Sequence, residues 1–175
     1  MSQNINIEIK ACTSEHNFIR EFLNNHGAVF KGVDHQIDTY FPVRNGRLKI
    51  REGDIENCLI HYDRDNKSGP KRCEYNIIKF KPNDPVLRRL KEILMGSIGV
   101  LTVVNKEREI YFLGNTKFHI DTVKGLGKYF EIEVINTGEA DESMLKKQCE
   151  NYLEKLRIKD EQLTNESYSD MMLRI

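Results

Sequence analysis

Asn6-Ile7-Glu8-Ile9-Lys10, preceded by Ile5, alternates without interruption between polar and aliphatic side chains. Successive side chains of a β-strand point to opposite faces. The stretch therefore puts Asn6, Glu8 and Lys10 on one side and Ile5, Ile7 and Ile9 on the other. Alone, this describes an ordinary half-exposed strand with a solvated polar face. Its weight comes from repetition. Arg47, Lys49 and Arg51 share a face opposite Leu48 and Ile50, and Lys106 and Arg108 share a face within a β-prone stretch from Val100 to about Tyr111. Lys117, His119 and Asp121 oppose Phe118 and Ile120, while Glu131 and Glu133 oppose Phe130, Ile132 and Val134.

The 175 residues are 39% apolar, which is enough for one domain with a real core, read as a single domain over 1–175. The 27 basic and 27 acidic residues cancel, so no global field favours nucleic acid or an anionic membrane. Apolar runs fall far short of the ~20 residues that span a bilayer. The strand pattern starts almost at once, leaving no room for a secretory signal. Cys12, Cys58, Cys73 and Cys149 contain no C-x-x-C pair, so neither a zinc site nor a disulfide framework is indicated. A reduced, cytoplasmic setting is the expectation.

Three helices interrupt the strands. Ser14 is placed to cap a helix through about Asn25, stopped by Gly27. Asp84-Pro85 opens a second, with Asp as N-cap and Pro at the first helical position, buried through Val86, Leu87, Leu90, Ile93 and Leu94 and ended by Gly96. Asp141 caps a third, with Met144, Leu145, Gln148, Cys149, Tyr152, Leu153 and Leu156 along or beside its inner stripe. Further strands are expected at 36–41, 58–64 and about 72–81, the last with Tyr75, Ile77 and Lys79 on one face. Arg44-Asn45-Gly46 reads as a turn and 65–70 as a loop. The amphipathic tail from Ser167 to Leu173 reads as a short helical lid or packing element.

Two architectures fit this alternation: a two-layer sheet with polar residues in water, or a closed sheet with charge inside and helices outside. Two features favour closure. The three helices supply apolar stripes to cover an outer face, and the charges are grouped by sign. Glu8, Asp121, Glu131 and Glu133 form one group, and Lys10, Lys49, Arg51 and Arg108 the other. Clustered carboxylates repel unless a dication or protons join them, and hard oxygen ligands suit Mg²⁺ or Mn²⁺. Opposed Lys and Arg side chains suit phosphate oxygens. The ligand these groups imply is a polyphosphate held between cations and a metal. No G-x-x-x-x-G-K-[ST] sequence is present, which excludes a P-loop.

The same residues resemble the adenylyl cyclase–thiamine triphosphatase (CYTH) family of triphosphate tunnel metalloenzymes, and within it most the class IV adenylyl cyclases. The resemblance spans essentially the whole chain. It runs through Ile7-Glu8-Ile9-Lys10, Asp38-Thr39-Tyr40-Phe41, Gly46-Arg47-Leu48-Lys49-Ile50-Arg51-Glu52 and Lys106-Glu107-Arg108. It continues through His119-Ile120-Asp121, Gly125-Leu126-Gly127, Glu131-Ile132-Glu133-Val134 and Ser167-Tyr168-Ser169-Asp170.

The resemblance implies an α+β fold, a closed eight-stranded antiparallel β-barrel with a charged interior and helices packed outside. It implies that Glu8, Asp121, Glu131 and Glu133 hold Mg²⁺ or Mn²⁺. Lys10, Lys49, Arg51, Arg64 and Arg108 would hold the triphosphate, with Arg47 and Lys79 as further candidates, and Lys10, Arg51 and Glu133 are the catalytic candidates. The substrate would be a small triphosphate: ATP, tripolyphosphate or thiamine triphosphate. Activity is expected as a cyclase releasing pyrophosphate or as a triphosphatase, with non-catalytic binding a third reading. A homodimer is compatible with the neutral surface. The family opens with E-x-E-x-K, whereas Asn6 stands where the first Glu belongs. A neutral oxygen is a weaker ligand for a hard dication, so the second metal site is where this chain departs. His119 shares a face with Asp121 as an acid–base candidate or a wall residue, and Tyr40, Tyr62 and Tyr168 as nucleotide contacts or packing.

Overall fold

The computed structural model describes residues 4–64, 69–138 and 141–175. In chain order the strands are β1 (Asn4–Cys12), β2 (Val29–Phe41), β3 (Arg47–Glu52), β4 (Asn57–Arg64) and β5 (Lys71–Phe80), then β6 (Thr102–Leu113), β7 (Thr116–Val123), β8 (Gly127–Ile135) and a short β9 (Leu163–Thr164). Helix α1 (His16–Asn25) follows β1, α2 (Pro85–Ile98) follows β5, α3 (Glu142–Lys155) follows β8 and α4 (Tyr168–Met172) follows β9.

Every pairing is antiparallel, in the order β5-β4-β3-β2-β6-β7-β8-β1, and β1 returns to β5 through Asn4↔Tyr75 to Glu8↔Lys71. The eight strands therefore close into a barrel with helices outside, as the repeated alternation implied. Beyond Glu8 the edge of β1 passes to β9, which pairs with Lys10 and Ala11. Lys71 fastens this seam: its buried Nζ donates to the Thr164 carbonyl at 3.0 Å.

Alternation decides which side of the wall each residue takes. Ile7, Ile9 and Ala11 of β1 face outward with Phe118, Ile120, Phe130 and Ile132, and pack against Ile19 and Leu23 of α1 and Leu145, Cys149 and Leu153 of α3. Each such fully buried aliphatic contributes ~1.5–3 kcal/mol, so this outer layer holds the wall round. A smaller cluster of Phe41, Ile50 and Leu87, with Leu90 and Leu94 against it, seats α2, whereas Val86 and Ile93 of α2 and Met144 of α3, expected on the inner stripes, are exposed. No helix among the described residues is long and apolar enough to cross a membrane.

Several boundaries differ from the sequence expectation. Glu15, not Ser14, precedes α1, and the Thr13 hydroxyl accepts from the Glu15 amide. Asp84 caps α2 as expected, accepting from the Val86 amide at 2.9 Å, but the helix runs through Gly96 to Gly99, whose φ of 76° ends it. β2 begins at Val29 rather than Gln36, because β6 supplies pairing partners along its whole length. Of the loop expected at 65–70, residues 65–68 lie outside the described residues.

Candidate functional site

The barrel interior encloses a cavity of about 510 Å³. Strand direction gives it two ends. Tyr40, Val104, Val123, Tyr129 and Tyr168 cluster where β2 and β7 finish and β6 and β8 begin, joined by Met171 and Met172 of α4. That end is closed by the tail. The opposite end is lined by Ile55, Ile77, Phe80, Phe112 and Ile135, with Lys79 exposed at the rim.

Between the two ends the lining is charged. Lys10, Lys49, Arg51 and Arg64 line it with Lys79, Lys106, Arg108 and Lys117, against Glu8, Asp38, Glu56, Glu131 and Glu133. Among the described lining residues eight cations thus face five carboxylates; with Lys79 exposed at the rim and Asp121 pairing Arg108 from behind, seven enclosed cations meet six carboxylates. Buried charge is costly unless paired, so the remaining excess calls for an anion.

Asp38 is the hub of one wall. Its oxygens accept from Lys49 (2.9 Å), Lys106 (2.7 Å) and Arg51 (2.8 and 3.0 Å). Burial alone would raise its pKa, but the Arg51, Lys106 and Lys49 charges hold it well below the usual carboxylate range. Lys106 is fully enclosed, and burial brings its pKa down to about 7 although Asp38 opposes the shift. Arg51 also donates to Glu56 at 2.7 Å, and Lys117 holds the other Glu56 oxygen at 2.6 Å. The turn carrying Glu56 is fixed by buried Asp34, which accepts from the Ile55 and Glu56 amides. A Cβ at Gly53 would lie 2.5 Å from Asp34 Oδ1, which explains the glycine there.

The opposite wall holds the acidic group. Glu131 accepts from Lys10 (2.9 Å) and Arg108 (2.5 Å), with His119 Nδ1 3.4 Å away. Burial would raise Glu131, but Lys10 and Arg108 keep it well below its ordinary value. Glu133 lies 3.6 Å from His119 and, among the described residues, has no lysine or arginine ion pair. Burial, with Arg108 beside it, lowers the His119 pKa, so the ring is neutral at pH 7. Glu8 stands opposite Glu133 in the ladder and pairs with Arg64 at 2.5 Å. Arg64 Nε and Nη2 are buried with no hydrogen-bond partner among the described residues. The Lys10 ammonium sits 3.6 Å from the centre of the Tyr168 ring, whose hydroxyl donates to Asp121.

A family model of the CYTH domain matches residues 4–168. The chain belongs to the CYTH family. Among curated proteins none matches it significantly. Of solved structures similar to this CYTH chain, the PH1012 protein of Pyrococcus horikoshii is 25% identical, with TM-score 0.75 over 94% of this chain and 98% of its own. A candidate adenylate cyclase from Vibrio parahaemolyticus is 16% identical, with TM-score 0.75 over 98% and 99%. The S. pombe RNA triphosphatase Pct1 is 12% identical, with TM-score 0.51 over 90% and 84%. At such identities the last two show the shared fold.

In this CYTH barrel Lys10, Lys49, Arg51, Arg64, Lys79, Arg108, Glu8, Glu131 and Glu133 all line the cavity. Arg47 and Asp121 are not among the lining residues. Arg47 donates to Asp170 of the tail at 2.8 Å. Both oxygens of the fully buried Asp121 are engaged, by Arg108 and by the Tyr168 hydroxyl, which places it behind the cation it orients. Asp38, Glu56, Lys106 and Lys117 line the cavity without having been singled out as site residues. The signal was present for Lys106, which shares a strand face with Arg108, and for Asp38, which shares one with Tyr40.

The donor set fits a divalent cation. One ring nitrogen of His119 and one oxygen each of Glu131 and Glu133 lie within 4.8 Å of one another. Asn6 lines the same cavity, and its buried Oδ1 accepts no hydrogen bond. Its register partner is Ile135, next to the Glu8–Glu133 pair, whereas His119 faces Glu131.

Proposed function

We propose that this CYTH domain is a divalent-metal-dependent enzyme acting on a nucleoside triphosphate, converting ATP to cyclic AMP and pyrophosphate. The observation that carries the reading is the excess of buried cations beside the His119–Glu131–Glu133 cluster in a barrel closed at one end. An inorganic chain would need only the charged part. The apolar rim of Ile55, Ile77, Phe80 and Phe112 has use when the triphosphate carries a base and ribose.

Each residue has a defined task. Lys10, Arg64, Lys106 and Arg108 bind phosphate oxygens toward the closed end, and Lys49 and Arg51 grip them from the Asp38 wall. Tyr168 and the tail seal the floor, hold Lys10 in place and exclude water. Glu131, Glu133 and His119 would hold a divalent cation. When bound, such an ion offsets phosphate charge and polarises the bond under attack. The ribose 3′-hydroxyl attacks the α-phosphorus, its proton passing to solvent, as the α–β phosphoanhydride bond breaks and pyrophosphate departs. Lys10, Arg51 and Glu133 are the residues assigned to that step.

Incubation with ATP and Mg²⁺ or Mn²⁺, with products resolved, tests the reading. Cyclic AMP with pyrophosphate supports it. Orthophosphate would make the protein a triphosphatase of the same tunnel chemistry. Tight binding without product would make it a binding module, consistent with Asn6 in place of the family's first Glu.

Arg64 separates affinity from chemistry. Its two unpartnered donors are free for phosphate, whereas all three Arg51 donor nitrogens are engaged by Asp38 and Glu56. A hydrogen bond to a charged group is worth ~1.5–3 kcal/mol, so Arg64→Ala should weaken metal-free tripolyphosphate binding by roughly 10- to 100-fold. Arg51→Ala should weaken it less. Calorimetry on both variants checks the order, and equal losses would remove the distinction.

A further inference from the structure

We infer that the tunnel couples triphosphate binding to the uptake of one proton at Lys106, so that its grip on the polyanion loosens as pH rises above neutrality. The inference rests on the triphosphate reading above and deepens it by naming the residue that carries the proton.

Geometry carries it first. Asp38 Oδ2 alone accepts from three cations: Lys106 at 2.7 Å, Lys49 at 2.9 Å and Arg51 Nη2 at 3.0 Å. One carboxylate cannot offset three buried charges, so the wall favours shedding one of them before a ligand arrives. Arg51 keeps its charge, because a guanidinium does not deprotonate in a protein. Lys49 is the more open lysine, its side chain 11% exposed, and it also reaches the Tyr40 hydroxyl at 3.4 Å. Lys106 has no exposed side-chain surface, and Asp38 is its single hydrogen-bonding and ion-pair partner among the described residues. An ammonium carries three donors, so two would stay unused in the wall. The neutral amine still donates to Asp38 and holds no uncompensated charge.

The groups around Lys106 act in the same direction. β2 brings Asp38 and the neutral Gln36, which is its ladder partner, and β3 brings Lys49 and Arg51. Arg108 follows two residues on along β6. Asp121 of β7 is taken up by Arg108 and by Tyr168 of α4, so it does not serve Lys106. Burial and the Arg51, Arg108 and Lys49 charges together outweigh Asp38 and bring the Lys106 pKa to about 7. Lys106 lines the cavity with Arg108. A phosphate oxygen there supplies a further acceptor and the negative charge that the empty wall lacks. The amine lone pair then takes a proton from solvent, Lys106 becomes an ammonium, and no phosphate bond changes. When the anion leaves, the proton returns to solvent. The bound form thus holds more protons than the empty one. Affinity is full below about pH 7 and falls above it by up to about tenfold per pH unit, until Lys106 titrates in the bound form as well.

The test is calorimetric titration of tripolyphosphate into the full chain in chelator, at about pH 6 and about pH 8, in buffers of unequal ionisation enthalpy. Such a pair of buffers counts the protons taken up on binding. The anion's own protons are common to wild type and variants and cancel in the difference. Relative to Lys106→Met, the wild type should take up about nine-tenths of a proton more at pH 8 and about a tenth more at pH 6. Lys106→Arg carries a permanent charge and should give the same difference, so the comparison holds if the methionine variant does not fold. Between the two pH values the wild-type affinity should fall about tenfold more than that of Lys106→Arg. Equal proton counts in wild type and variants, with tripolyphosphate bound, would mean that Lys106 is already charged in the empty tunnel. That result would overturn the inference and leave the triphosphate reading standing. No binding of tripolyphosphate by the wild type would overturn both.

Discussion

Asp38→Ala should lower the melting temperature by on the order of 10 °C, and added tripolyphosphate should recover much of that loss. The carboxylate is buried to within 1% exposure and accepts from Lys49, Arg51 and Lys106 together. Removing one partner of a buried ion pair costs about 3–5 kcal/mol, because an uncompensated charge remains. For a domain of this size each kcal/mol shifts the melting temperature by ~2–4 °C. Lys106 softens the effect, since burial has already brought its pKa to about 7 and it can release its proton. Arg51 cannot, and its charge stays in the wall. A polyanion supplies the missing negative charge and stabilises the folded state by mass action. The melting-temperature gain from tripolyphosphate should therefore be larger in the variant than in the wild type, measured by thermal denaturation in chelator. A drop under 2 °C, or equal gains, would show that Asp38 does not hold these cations together.

Asp38 also illustrates what sequence could reveal. The closed barrel was legible because its signal is local. Glu8 and Lys10, Lys49 and Arg51, Lys106 and Arg108, and Glu131 and Glu133 each declare a charged face over two or three residues, and period-2 alternation needs no knowledge of pairing. Pairing is what remained hidden. Asp38 lies opposite Arg51 through the β2–β3 register and reaches Lys106 on a third strand. No window of sequence contains all three.

The same holds for Asp121. Its residue type and its face match those of a metal ligand, but contacts to Arg108 on β6 and Tyr168 in the tail occupy its oxygens. Tyr168 itself reads as amphipathic packing in sequence. In the barrel it is the floor beneath Lys10, because β9 joins the edge of β1 and carries α4 across the closed end. The end of α2 was misplaced for a related reason: a glycine within a helix and one that ends it differ in φ, not in name.

Glu133→Gln should cost at least ~100-fold in metal-dependent turnover while changing metal-free tripolyphosphate affinity by less than about threefold. The asymmetry follows from what each carboxylate faces. Glu8, Asp38, Glu56 and Glu131 are each held by a lysine or arginine, so neutralising any of them unbalances a wall. Among the described residues Glu133 has no lysine or arginine ion pair and lies 3.6 Å from His119, and its carboxylate is about a fifth exposed. Its negative charge therefore does little for the fold and is free for a dication. Glutamine keeps the shape and one carbonyl oxygen but loses the charge that a hard cation requires. Binding of the triphosphate rests on Lys10, Arg64, Lys106 and Arg108, which the substitution leaves in place. Steady-state turnover at saturating Mn²⁺, paired with calorimetry in chelator, separates the two effects. Undiminished turnover would remove Glu133 from the metal site. A parallel loss of metal-free affinity would instead mean that the residue shapes the phosphate pocket.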